Sequence, residues 1–68
     1  MTVGSQVKQT LSSLKSAQAT MKIYAVQTRN KETADAFDKA AAITGEIIKD
    51  LEERLQTLEL QEPQYKGN

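Results

Sequence analysis

The chain has 68 residues, no cysteine and no histidine, and its nine basic and nine acidic side chains cancel to zero net charge. A domain this small buries only about 60% of the surface its unfolded chain exposes; without Cys or His it has no disulfide and no ready structural metal, which leaves oligomerisation as its support. The same absences remove the usual nucleophiles, metal ligands and neutral-pH proton shuttles, so the expectation is not an enzyme, with no catalytic, cofactor-binding or metal residues.

No basic start precedes an apolar run, so no signal peptide is expected. An apolar run such as Ala40 to Ile43 falls far short of the roughly 20 residues that span a bilayer, so no membrane-spanning segment is expected either.

Thr2 or Ser5 is placed to cap a first helix over about residues 3–28, a stretch poor in helix breakers. Within it Val7, Leu11, Leu14, Gln18, Met21, Ala25 and Thr28 recur at alternating spacings of four and three. That repeat keeps one seam of a helix turned toward a partner helix. A turn is expected over about residues 29–32, with Asn30 either ending the first helix or capping the second. Glu32 and Asp35 then fall in the first turn of a second helix over about residues 33–60, where negative charge is favourable. Its seam reads Ala34, Phe37, Ala41, Thr44, Ile48, Leu51, Leu55 and Leu58. Pro63 closes the helical stretch, and the tail over about residues 61–68 is expected to be extended or loose. One continuous helix is the competing arrangement. The two repeats are out of phase by two residues, or about 200° around a helix, which is neither of the insertions that coiled coils absorb. The chain is therefore expected to break near residues 29–33 and fold back as a single domain.

An antiparallel register matches the two seams. Val7 faces Leu55, Leu11 faces Leu51, Leu14 faces Ile48, Met21 faces Ala41 and Ala25 faces Phe37, so that Met21 and Phe37 each meet a small partner. The expected core is Val7, Leu11, Leu14, Met21, Phe37, Ile48, Leu51, Leu55 and Leu58. Gln18 facing Thr44 forms a polar layer, whose best-attested use is to fix register at some expense of stability. The fold class is all-α: an antiparallel, coiled-coil-like two-helix hairpin. Gly45, beside the polar layer, costs roughly 1 kcal/mol relative to Ala in a helix interior, and reads either as a close-contact point or as a place where the helix bends.

Two further stripes flank the seam. Lys8, Lys15, Lys22 and Arg29 recur every seven residues on the first helix, against Asp38, Gly45, Glu52 and Glu59 on the second. The register above sets Lys8 near Glu52 and Lys22 near Asp38. Internal pairing is the preferred reading over a basic ridge for nucleic acid or anionic membrane, because no Arg-rich cluster or stacking aromatics accompany the lysines. The other flank is apolar: Val3, Thr10, Ala17 and Tyr24 on the first helix, Ala36, Ala40, Ile43 and Ile47 on the second. A closed hairpin has no use for that surface. Ala17, Tyr24, Ala40, Ile43 and Ile47 are the expected interface, through which the chain pairs with itself, most simply as a homodimeric four-helix bundle.

Residues 1–20 (MTVGSQVKQTLSSLKSAQAT) and 46–65 (EIIKDLEERLQTLELQEPQY) make the chain resemble a small family of endospore-forming bacteria catalogued as domain of unknown function 1657. The resemblance extends over essentially the whole chain, including the closing Glu62-Pro63-Gln64-Tyr65. It implies a role in sporulation, the spore inner membrane or germination, with the protein in the cytoplasm or spore interior or peripheral to that membrane. A spore membrane protein is then the implied second partner, with the chain as an adaptor. The resemblance carries no catalytic residues.

Overall fold

The computed structural model describes residues 3–61 and contains two helices, α1 (Val3–Gln27) and α2 (Lys31–Gln61), packed against each other as a hairpin. The described residues contain no strand. Residues 28–30 connect the helices without any positive φ. Thr28 N–H still donates to Tyr24 O at 2.9 Å, so the last turn of α1 closes fully. Asn30 then takes the second of its two expected roles. Its Oδ1 accepts from Thr33 N–H at 2.9 Å and its carbonyl accepts from Ala34 N–H at 2.9 Å, the geometry of an N-cap. The cap starts α2 at Lys31, two residues ahead of the expected start, and the connection is correspondingly shorter than expected.

Ser5 lies inside α1 and therefore does not cap it. The alternative cap Thr2, the stop at Pro63 and the tail beyond residue 61 lie outside the described residues. Hydroxyls within the helices are satisfied locally: Thr10 donates to Gln6 O at 3.0 Å, Thr20 to Ser16 O at 3.0 Å and Thr57 to Glu53 O at 3.1 Å. These bonds give the three exposed threonine hydroxyls partners within their own helix.

Every position of both seams is buried or half-buried. Leu11, Ile48 and Leu55 form the centre of one apolar cluster, with Val7, Leu14 and Leu51 packed around it. Those six residues are the three large layers of the antiparallel register. Nearer the connection the seam thins to Ala41, which is buried, and to half-buried Met21, Ala25, Ala34 and Phe37. Gly4 is also buried. It continues the α1 repeat one step before Val7, and the same register sets it against half-buried Leu58, again small against large. The molecule measures 48 × 18 × 10 Å, one helix thick. Each helix consequently leaves both flanks and its outer face uncovered.

Candidate interaction surfaces

The polar layer is built differently from a side-chain pair. Gln18 Nε2 donates to Ala41 O at 3.1 Å, and Thr44 Oγ1 donates to Ala40 O at 2.8 Å, so each amide or hydroxyl goes to the α2 backbone and neither to the other. Gly45 makes this possible. A Cβ placed on it would stand 2.6 Å from Gln18 Nε2, which means that the Gln18 amide occupies the space a side chain at 45 would take. The glycine is thus a close-contact point. Ala41 O also lies four residues ahead of Gly45, where it accepts the ordinary helical bond, so the Gln18 amide adds a second bond to a carbonyl already in use.

The charged stripes meet, but one heptad away from the expected partners. Lys8 Nζ lies 3.2 Å from Glu59 Oε1 and Lys15 Nζ lies 3.0 Å from Glu52 Oε2. Lys8 is therefore not paired with Glu52, and no ion pair joins Lys22 to Asp38 among the described residues. The cause is the tilt of side chains toward the N-terminus of their own helix. In antiparallel helices that tilt brings Lys8 toward the end of α2 and Glu59 back toward it, whereas Lys8 and Glu52 diverge. In the observed pairing Lys22 falls opposite Gly45, which carries no charge. Each exposed pair contributes only about 0.2–1 kcal/mol, so their main effect is on orientation and register. Lys31–Asp35 at 3.4 Å and Asp50–Arg54 at 3.2 Å add support within α2.

On the apolar flank, Ala17, Tyr24, Ile43 and Ile47 are exposed and Ala40 is half-buried. Ile43 and Ile47 remain 48% and 46% accessible, on successive turns of α2. Tyr24 is partly engaged within the hairpin. Its ring lies 5.3 Å from that of Phe37 at a 60° tilt, a favourable edge-on arrangement. Sequence reasoning missed a second apolar surface, formed by Ile23 and Val26 on the outer face of α1, where Val26 is 86% exposed. The signal was present: the two lie three residues apart in a Lys-Ile-Tyr-Ala-Val run, but off both seam and flank.

Residues 7–55 match the model of the family described as protein of unknown function (DUF1657). The chain belongs to this family. The matched span begins at Val7 and ends at Leu55, the outermost large layer of the seam, so the DUF1657 sequence pattern and the packed hairpin coincide. No curated protein and no solved structure matches the chain. Among the described residues no helix is long and apolar enough to cross a membrane.

Proposed function

We propose that the protein is a non-enzymatic helical interaction module that pairs with itself through the apolar flank as a homodimeric four-helix bundle, in a role linked to sporulation. The observation that carries the reading is the exposure of Ile43 and Ile47 beside a seam with only four buried apolar side chains among the described residues. So small a core leaves an isolated hairpin near zero net stability. Covering the exposed half of each isoleucine contributes roughly 1 kcal/mol, so pairing the flanks would add to the apolar burial that the seam provides. The flank is also free of charge from Ala36 to Ile47 on its α2 side, at Ala36, Ala40, Ile43 and Ile47, and from Val3 to Tyr24 on its α1 side. A two-fold pairing sets a surface against its own copy, and an uncharged surface meets no repulsion there. The link to sporulation and to the spore interior or membrane rests on the resemblance to a family of endospore-forming bacteria.

Docking on a spore membrane protein through the same flank is the second reading. Binding of nucleic acid or anionic membrane along the whole basic stripe is disfavoured, because Lys8 and Lys15 are held by Glu59 and Glu52. Sedimentation equilibrium of the parent and of Ile47→Glu tests the proposal. The parent should sediment as a dimer at micromolar concentration, and the variant as a monomer that melts at a lower temperature. A parent that stays a folded monomer across that range would refute self-association.

A further inference from the structure

The outer face of α1 near the connection carries a surface that neither the seam nor the flank uses. Ile23 and Val26 stand three residues apart on one side of the helix, 53% and 86% exposed. Lys22 and Gln27 line the same shallow depression, and Arg29 follows one turn later in the exposed connection. Lys22 and Arg29 form no ion pair among the described residues, and residues 1–31 contain no acid. The acids nearest in sequence, Glu32 and Asp35, occupy the outward positions of α2 in its repeat and point away from α1 along the width of the hairpin. Asp38 falls opposite Arg29 in the observed pairing of the stripes, yet no ion pair joins the two among the described residues.

We infer that this end of the hairpin docks on the surface of an anionic lipid bilayer, inserting Ile23 and Val26 below the headgroups while Lys22 and Arg29 contact lipid phosphates. A protein partner is the weaker fit. A standard interface buries about 800 Å² per partner around a well-packed apolar cluster, whereas here the apolar surface is two aliphatic side chains on one helix with only a shallow depression between them and their neighbours. The rest of that face, Ser16, Ala19 and Thr20, is small and neutral. Exposed aliphatics flanked by cations are the pairing of apolar and basic groups that interfacial anchors use, and unpaired lysine and arginine side chains are attracted to an anionic leaflet. The contact is independent of self-association, because it leaves the flank of Ile43 and Ile47 untouched.

The chain contains no tryptophan, so Val26→Trp gives the full-length protein a single indole at the proposed contact. Its emission should shift to the blue on addition of phosphatidylglycerol-containing vesicles, and much less with phosphatidylcholine alone. In flotation with the same vesicles, Ile23→Ser/Val26→Ser and Lys22→Gln/Arg29→Gln should each reduce the bound fraction by about tenfold or more, the loss of apolar area or of charge being enough to release so small an anchor. Raised salt should weaken parent binding. Circular dichroism and sedimentation keep the readings separate: both double variants should retain parental helix content and parental mass. The inference is overturned if the indole does not respond to anionic vesicles, or if its emission shifts with protein concentration in their absence, which would assign the face to a second copy.

Discussion

Gln18 and Gly45 act as one unit, and neither residue is explained alone. The glycine forgoes helix stability of roughly 1 kcal/mol, and the glutamine amide fills the space it leaves and bonds to Ala41 O. Gly45→Ala by itself should be nearly neutral, because the gain in helix propensity is offset by displacement of the amide. In a Gln18→Ala background the same change should stabilise by about 1 kcal/mol. Urea melts of the four proteins measure the coupling, and strict additivity would mean the two side chains do not interact. Asn30 is a simpler case. Its Oδ1 holds Thr33 N–H, so Asn30→Ala should cost about 1 kcal/mol, read as a lower urea midpoint with an unchanged slope.

The two helices are unequal, and the difference comes from their composition. α1 is rich in Ser, Thr and Gln and has no acid with which to form intrahelical ion pairs, while α2 combines Ala with two such pairs and a capped start. As separate peptides, α2 should show clearly more helix by circular dichroism than α1, whose order depends on the seam. Between helices, exchanging Lys15 and Glu52 should leave stability near the parent, whereas Lys15→Glu alone should lower it by up to about 1 kcal/mol at low salt and less at high salt. The hairpin itself was legible because Leu, Ile and Val keep a strict repeat, and because the phase break near Asn30 excludes a continuous helix. The ion-pair partners were not. Matching charges by seam register treats side chains as if they stood straight out, and a tilt of each toward its own N-terminus moves the pairing by a heptad. Ile23 and Val26 escaped for another reason: a repeat shows which residues face the partner helix and is silent about those that face outward.

At the scale of the molecule, stability should depend on concentration if pairing of the flanks supplies the missing burial, so the melting temperature should rise between low and high micromolar protein. A melting temperature independent of concentration would contradict the dimer. The connection at residues 28–30 has a consequence for assembly as well as for the fold. It contains no residue in the left-handed region, so little in its backbone resists straightening into helix. In a straightened chain, the two-residue phase offset would put the α1 seam and the α2 seam on opposite sides of one rod, about 200° apart. Such a rod cannot close with a single companion. Each end would recruit a different chain, and the product would be an open-ended polymer. The Asn30 cap, which commits the chain to begin a new helix, therefore also limits how far the molecule can grow. Thr28→Ala/Arg29→Ala/Asn30→Ala, by favouring continuous helix, should yield species well above dimer mass in sedimentation velocity, with helix content equal to or above that of the parent.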